Sequence, residues 1–348
     1  MKSQIEEHYN YICNSFPSTN IECYKLKKFD KNHIFFEILN FLSKEISLDE
    51  KMAMFFSFNN FQRSLDEARD GNNRFSSYWI KYTNNYNFEF SPSVKKGIDS
   101  LYYPMLAYNE YTNMMYDKAI FYLNLSIQLQ TELEAEGFED ILSAKIEQIL
   151  NIGRTLYSMG DLEKMNDIIS DLIVFLAYSK TCENLSELSK RIINKESHIE
   201  RLSTIDYIID SILGKIIFSK EKSVQEKDES IYNLINSIYD KNKNLNDISA
   251  KGFDKIIQLI MYLKNDKFDD FLQNFDLFLI NISYTPKMLQ FIILEKFKKL
   301  SFQFLEFDKQ KKLQLVLSDY YKRGLNINVN DYSSSNSYYL TTVKSVIK

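Results

Sequence analysis

Residues 103–123, YPMLAYNEYTNMMYDKAIFYL, and residues 149–169, ILNIGRTLYSMGDLEKMNDII, share one pattern, and this pattern decides the fold. In both stretches apolar residues recur at spacings of three and four, which predicts helices, and a polar turn interrupts them. Corresponding positions lie 46 residues apart (149 − 103 = 46). The stretches therefore predict two copies of one helical hairpin. The matched residues are Tyr103, Leu106, Ala107, Tyr116, Ala119 and Leu123 against Ile149, Ile152, Gly153, Leu162, Met165 and Ile169.

Composition favours an all-α fold. The chain has 348 residues and 45% hydrophobic content, so it can bury a substantial core without metal or disulfide staples. Only 8 Gly and 4 Pro are present, which favours long helices over a sheet with many tight turns. The net charge of −4 provides no global attraction for nucleic acid or an anionic membrane, and neither partner is expected. A local basic patch is conceivable around Lys296, Lys298 and Lys299.

The cysteines and the N-terminal sequence favour a soluble cytoplasmic protein. Cys13, Cys23 and Cys182 are too few and too scattered for a disulfide framework, and an odd number is typical of a reducing compartment. The first residues lack the apolar core of a signal peptide, and no stretch approaches 18 uninterrupted apolar residues. The abundant Tyr and Phe accompany Asn, Lys and Ile, which indicates an AT-rich bacterial genome.

Three regions follow from the patterning along the chain. Ser47 with Glu50 predicts a helix start, and Asp70-Gly71 predicts the end of that helix. An aromatic block around Trp79 loses its helical period toward Pro92 and Gly97, where we place a boundary. The predicted division is an N-terminal helical region at 1–97, a repeat region at 98–325 and a polar C-terminal tail at 326–348.

Within the repeat region, Pro104 is predicted to lie early in its helix, and Asp140 is predicted to cap the next one. Ser158-Met159-Gly160-Asp161 is the predicted turn of the second hairpin.

The two hairpins resemble the tetratricopeptide repeat in their order of large apolar, apolar, small, turn, aromatic or apolar, small and large apolar residues, although Met165 occupies a position that is usually small. A weaker third match starts at Tyr262 and continues through Phe268, Phe271 and Phe275. The spacing of 46 exceeds the 34 residues of that family's unit, so the subfamily is left unassigned. The resemblance implies an irregular right-handed superhelix of antiparallel helix pairs. A non-repetitive helical bundle with locally similar patterns is the alternative.

The resemblance also implies that the first helix of each pair lines a concave face. The positions between its packing residues are Tyr108 and Tyr111 in the first unit, and Asn151, Arg154 and Tyr157 in the second. Large aromatic contacts, a guanidinium and an amide suit an extended peptide, so these five residues form the predicted partner-binding strip. The alternative is that Arg154 is a solvated charge and the tyrosines are packing residues. In the third match Ile256, Ile260 and Leu263 predict burial or partner contact.

No catalytic or metal-binding motif accompanies the repeat. His8, His33 and His198 lack metal-site spacing, and Asp30-x-x-His33 and Glu196-x-His198-x-Glu200 are interpreted as surface clusters. The acidic run from Glu132 to Asp140, including Glu134, is interpreted as a solvated face. The aromatic block around Trp79 is interpreted as core or domain-junction packing, although stacking of nucleic-acid bases is the rival. Neither a metal nor another cofactor is expected.

These observations predict a non-enzymatic scaffold that binds a peptide or protein partner through its concave face. One alternative is a bacterial regulator that senses a peptide and acts on a protein target. Another is an enzyme whose site is assembled from Glu and Tyr inside a helical bundle. The sequence predicts neither the partner nor the oligomeric state.

Overall fold

The computed structural model describes residues 1–18, 31–42, 46–86, 88–180, 182, 184–219, 222–242 and 251–325. Throughout these residues the fold is all-α, as the composition predicted, with one isolated bridge between Cys182 and Leu185. The helices are α1 Lys2–Ser15, α2 Lys31–Leu42, α3 Leu48–Arg69, α4 Asn73–Asn84, α5 Pro92–Thr112, α6 Tyr116–Ala135, α7 Leu142–Met159, α8 Leu162–Tyr178, α9 Glu187–Lys195, α10 His198–Ile217, α11 Val224–Asn242, α12 Lys251–Lys264, α13 Phe268–Ile280, α14 Lys287–Ser301 and α15 Phe307–Tyr320.

The chain divides into two compact units. One comprises Leu26–Arg201, and the other combines Met1–Lys25 with Leu202–Lys348. The division predicted from the sequence, at 1–97, 98–325 and 326–348, stays a prediction; residue 97 lies inside α5, and 326–348 lies outside the described residues. Among the described helices, none is long and apolar enough to cross a membrane.

Three consecutive hairpins, α3–α4, α5–α6 and α7–α8, occupy much of the Leu26–Arg201 unit. The two helices of each hairpin pack together, α3 also packs on α5, and α6 packs on α7. All three turns have the same backbone geometry: a residue of positive φ follows the first helix, and the next N–H donates to the carbonyl five residues back. The positive φ angles are 80° at Gly71, 60° at Met114 and 90° at Gly160. The hydrogen bonds are Asn72 N to Glu67 O at 2.8 Å, Met115 N to Glu110 O at 2.9 Å and Asp161 N to Leu156 O at 3.0 Å.

The helices of each hairpin approach closely at equivalent small residues. In α5–α6 these are Ala107 and Ala119, both buried. In α7–α8 a Cβ on Gly153 would stand 2.6 Å from Ile169 Cδ1, closer than carbon atoms can pack, so any larger residue there would force Ile169 to move. In α3–α4 the buried Ser64 and Ser76 share a hydrogen bond of 3.0 Å between their hydroxyls.

Local sequence accounts for some of the observed helix ends. Ser47 and Glu50 form the predicted capping box at the start of α3, and Glu50 also accepts the Ser91 N–H at 2.9 Å. The hydrogen bonds from Ser91 and Ser47 lower the pKa of Glu50 to about 2. The predicted cap at Asp140 is wrong: α7 begins after Ile141, and its N-cap makes no side-chain hydrogen bond.

Pro104 lies well inside α5, contrary to the prediction that it sits early in its helix. A proline has no N–H for the carbonyl four residues back, which here is that of Ser100. Ser126 of α6 supplies the missing donor, because its hydroxyl donates to Ser100 O at 2.8 Å. Both serines are fully buried. A serine of the neighbouring helix therefore satisfies the Ser100 carbonyl, which the proline leaves without a donor.

The second unit brings the N-terminal helix together with C-terminal helices. His8 of α1 pairs through Nε2 with Leu272 O of α13 at 3.1 Å, and its ring meets the edge of Phe275. Phe275 in turn stacks on Phe297 of α14 with ring centroids 4.5 Å apart. An aromatic core therefore joins α1, α13 and α14.

Candidate functional site

The first helices of two hairpins carry the predicted partner-binding strip. Tyr108 and Tyr111 lie near the end of α5, half-buried, with ring centroids 6.1 Å apart. The hydroxyl of Tyr111 shares a hydrogen bond of 2.8 Å with that of Ser158 on α7. On the other side the guanidinium of Arg69, from α3, lies 6.0 Å from the Tyr108 ring centroid. The ends of α3, α5 and α7 therefore lie side by side.

Asn151 and Arg154 form a polar cluster on α7. Arg154 Nη1 donates to Glu147 Oε1 at 2.8 Å and to Asn151 Oδ1 at 2.5 Å. Asn151 Nδ2 donates to Gln148 Oε1 at 3.3 Å. The side chain of Arg154 keeps 25% of its surface exposed. A guanidinium held by a carboxylate and an amide is oriented before any ligand arrives.

Tyr157 differs from the other four residues of the strip, because only 3% of its surface is exposed. It occupies the position equivalent to Tyr111, 46 residues later (157 − 111 = 46). In the third match Ile256, Ile260 and Leu263 are also buried. Positions that the sequence pattern matches thus differ in their access to solvent.

The hairpin α3–α4 has the turn geometry of the two predicted hairpins, which the sequence pattern did not reveal. Its turn precedes that of α5–α6 by 43 residues (114 − 71 = 43). Ser64 and Ser76 lie at the positions that Ala107 and Ala119 occupy in α5–α6. Asn73 begins the second helix, at the position where the sequence pattern has the apolar residue Tyr116. The Asp70-Gly71 turn was the one available signal. The α12–α13 turn has the same geometry at Asp266, with φ of 55° and a bond of 2.9 Å from Lys267 N to Tyr262 O.

A buried polar cluster joins α6, α7 and α9. Lys145 is fully buried and donates to Glu134 Oε2 at 2.8 Å and to Ser189 Oγ at 2.9 Å. Ser189 donates to Glu134 Oε1 at 2.7 Å, and Ser186 donates to Glu134 Oε2 at 2.7 Å. Burial lowers the pKa of Lys145, and the Glu134 carboxylate opposes that shift. The interpretation of Glu134 as a solvated residue is wrong, since only 1% of it is exposed.

This cluster contains a lysine beside a serine hydroxyl, a pair that can act as base and nucleophile in enzymes. Here Lys145 and Ser189 are both fully buried, and their polar atoms already bond to Glu134 and Ser186. The arrangement is that of a satisfied structural network linking three helices.

Two carboxylates in the second unit have perturbed acidity. Asp206 and Asp210 lie one turn apart on α10 and are partly buried. Burial, with the neighbouring Asp210, raises the pKa of Asp206 to about 7. Burial raises the pKa of Asp210 to about 6, although this carboxylate accepts the Met288 N–H of α14 at 2.8 Å. The bond to Met288 places the carboxyl group of Asp210 at the N-terminus of α14.

The aromatic block around Trp79 is not core packing as a whole. Exposed fractions are 59% for Phe75, 53% for Tyr78 and 49% for Tyr86. Tyr82 joins the others, with ring centroids 5.8 Å from Tyr78 and 5.2 Å from Tyr86. The rings of Tyr78, Tyr82 and Tyr86 thus contact one another in sequence along α4 and the residues that follow it.

Basic and metal-ligating side chains elsewhere are dispersed or paired. Lys296 pairs with Asp228 at 2.7 Å and Lys298 with Glu295 at 2.6 Å, so acids accompany the conceivable basic patch. His33 lies 3.9 Å from Glu37. In the part of the chain that the structure describes, no three His, Cys, Asp or Glu side chains are grouped to hold a metal ion. No protein-family model, curated protein or solved structure matches this chain.

Proposed function

We propose that this protein is a non-enzymatic, tetratricopeptide-like helical-repeat scaffold that binds a peptide or protein partner. The support comes from three consecutive hairpins with one turn geometry, at Gly71, Met114 and Gly160. Stacked hairpins of this kind create extended surfaces that such proteins use for binding. The irregular superhelix implied by the 46-residue spacing belongs to the same proposal.

The observation that carries the proposal is the hydrogen bond between Tyr111 and Ser158. It joins the first helices of two hairpins, so the partly exposed residues of both helices belong to one surface. Arg69 extends that surface onto α3 through its contact with Tyr108. The proposed binding surface consists of Arg69, Tyr108, Tyr111, Asn151 and Arg154.

Each member of this surface offers a defined interaction. The tyrosines provide flat apolar area with a hydroxyl at the edge, and these side chains lose little entropy on binding. Arg154 can donate to a carboxylate or a peptide carbonyl, and Asn151 can pair with peptide backbone. Tyr157 is left out as a contact residue, because burial places it in the packing beneath. An extended peptide with exposed carbonyls is the ligand that these groups suit.

A random-peptide phage library selected on the full chain tests the proposal. Enriched peptides are expected to bind the purified protein and to lose at least about tenfold in affinity with Tyr108→Ala or Arg154→Ala, the range of interface anchors. Lys241→Ala, on α11 of the other unit, is the matched surface control and is expected to leave affinity unchanged. Selection that yields no binder, or binders indifferent to both substitutions, would refute the proposed surface.

A further inference from the structure

We propose that Met114 is a specificity-determining residue of the proposed binding surface and that, together with Met115 and Met159, it contacts an apolar side chain of the partner segment. This inference rests on the proposed function and adds the kind of segment that the surface selects. Two independent observations carry it: the backbone conformation of Met114 and the exposure of the three methionines.

Met114 has a backbone conformation that suits glycine. Its φ is 60°, and the residues at the same place in the neighbouring turns are Gly71 and Gly160, with φ of 80° and 90°. A side chain makes this left-handed conformation unfavourable, except where a short polar group can bond to the nearby backbone. The other non-glycine residues with positive φ in the described chain are Ser179 and Asp266, and both are of that polar kind. The thioether of Met114 provides no comparable local bond.

Packing within the protein does not account for the methionine at this position. Met114 is 74% exposed, so its side chain buries little apolar surface in the folded chain. A buried side chain can offset backbone strain by the surface it removes from water, whereas one so exposed cannot. Residues held in unfavourable backbone conformations are concentrated at sites that bind ligands. Strain together with exposure therefore indicates that the Met114 side chain is used in a contact outside the chain.

Two more methionines lie beside Met114. Met115 follows it in the same turn, Met159 precedes the turn of α7–α8, and each is 46% exposed. The hydrogen bond between Tyr111 and Ser158 brings the two turns together, because Met114 lies three residues after Tyr111 and Met159 follows Ser158. Three of the five exposed methionines of the described residues are thus grouped at one end of the proposed binding surface. We call these three residues the methionine edge.

The chemistry of the methionine edge selects an apolar side chain. Thioether side chains are apolar, flexible and polarisable, so they pack against aliphatic and aromatic groups of different shapes. The polar part of the surface lies further back on α7, where Arg154 precedes Met159 by five residues, about 7.5 Å along a helix. An extended peptide covers that distance with about two residues. The surface therefore selects a short segment in which an apolar residue stands about two residues from a carbonyl or carboxylate that Arg154 binds.

The phage selection described above supplies the ligands for the test. The peptides used are those whose affinity falls with Tyr108→Ala or Arg154→Ala, so the binding surface is verified before Met114 is tested. These peptides are expected to share an apolar residue. Isothermal titration should show that Met114→Gly weakens their binding at least about tenfold, the range of interface anchors. Met52→Ala is the matched control, because Met52 is 65% exposed but lies near the start of α3, and affinity should stay unchanged.

Stability measurements separate the loss of a contact from the loss of the fold. Glycine relieves the backbone at position 114, so Met114→Gly should unfold at a higher urea concentration than the parent protein while it binds peptide more weakly. A damaged fold would lower both quantities. Replacing the shared apolar residue of a peptide with alanine should weaken binding about tenfold to the parent protein and less than about twofold to Met114→Gly, as for two residues in contact.

Three results would overturn the role of Met114 and leave the proposed function intact. The first is that peptides dependent on Tyr108 or Arg154 bind Met114→Gly as tightly as the parent protein. The second is that Met114→Gly unfolds at a lower urea concentration, which contradicts backbone strain. The third is that the enriched peptides share no apolar residue, or that its replacement costs the same with both proteins. A selection without binders, or with binders indifferent to Tyr108→Ala and Arg154→Ala, refutes the proposed surface and the role of Met114 together.

Discussion

Ser126→Ala tests whether a hydrogen bond between helices compensates for the proline inside α5. The substitution removes the donor for Ser100 O while Pro104 still cannot provide one. Serine and carbonyl are fully buried, so water does not replace the lost bond. Leaving a buried acceptor unpaired costs about 1–3 kcal/mol. We expect the free energy of unfolding of the Leu26–Arg201 unit to fall by about that amount.

A second substitution determines whether Pro104 is the reason why Ser100 O needs the hydrogen bond from Ser126. Pro104→Ala restores an N–H that can donate to Ser100 O within the helix. In that background Ser126→Ala is expected to cost less than about 0.5 kcal/mol, as for substitutions away from such features. The double-mutant cycle should therefore show a coupling of about 1–2 kcal/mol between two residues of different helices.

Urea unfolding followed by Trp79 fluorescence provides the measurement, because Trp79 belongs to the same compact unit as Ser126. Ser143→Ala is the matched control: its hydroxyl donates to Asp140 O near the surface, at 3.1 Å, and its loss is expected to change little. An equal cost of Ser126→Ala with proline or alanine at position 104 would refute the reasoning. So would a cost no larger than that of Ser143→Ala.

Three further predictions concern charge and backbone strain. Glu134→Gln leaves Lys145 buried without its counter-charge and should lower the free energy of unfolding by about 3–5 kcal/mol in the same assay. Glu139→Gln, whose partner Lys195 is exposed, should lower it by less than about 1 kcal/mol. Similar losses for the two variants would contradict the structural role of the buried cluster. Asp206 has a folded-state pKa of about 7, above its ordinary 3.8, so the unfolded chain loses this proton first and stability should fall as pH rises from about 4 to 7, by at most about 4 kcal/mol. Asp206→Asn should make that decline smaller when thermal unfolding is followed by circular dichroism. An unchanged pH profile would contradict this prediction. Met114→Gly should stabilise the first unit by about 1 kcal/mol, because φ of 60° suits glycine, and a loss of stability would contradict strain at that turn.

Patterned apolar residues were sufficient to predict the all-α class and several helix ends. Asp70-Gly71 and Met159-Gly160-Asp161 predicted turns correctly, because glycine tolerates the positive φ that these turns need. Ser47 with Glu50 predicted a cap correctly, because their side chains bond to backbone N–H groups within the same turn. Prediction from local sequence fails where a residue of another helix is decisive. Pro104 lies inside α5 because the carbonyl of Ser100, which the proline cannot bond, accepts a hydrogen bond from Ser126 of α6.

The same limit applies to the polar and aromatic residues. Glu134 lies in an acidic run that resembles a solvated helix end, yet its partners Lys145 and Ser189 come from α7 and α9. The aromatic block has the composition of a core, and only the three-dimensional arrangement leaves Phe75 and Tyr78 at the surface. Ser64 and Ser76 occupy the small repeat positions, but a search for apolar residues passes over them. Periodicity reports which face is apolar and does not report what covers that face.

The size of the proposed peptide surface follows from how one repeat position changes along the three hairpins. That position is Ala68 in α3, Tyr111 in α5 and Tyr157 in α7, and only Tyr111 keeps substantial exposure. On α3, Ala68 is buried, and the next residue, Arg69, places its guanidinium 6.0 Å from the Tyr108 ring centroid. On α7, Tyr157 is buried. The next residue, Ser158, provides the polar group instead, and its hydroxyl shares a hydrogen bond with that of Tyr111. The proposed surface therefore spans the C-terminal parts of α3, α5 and α7, which suits a short segment of a partner crossing these helices more than a long peptide following the whole array.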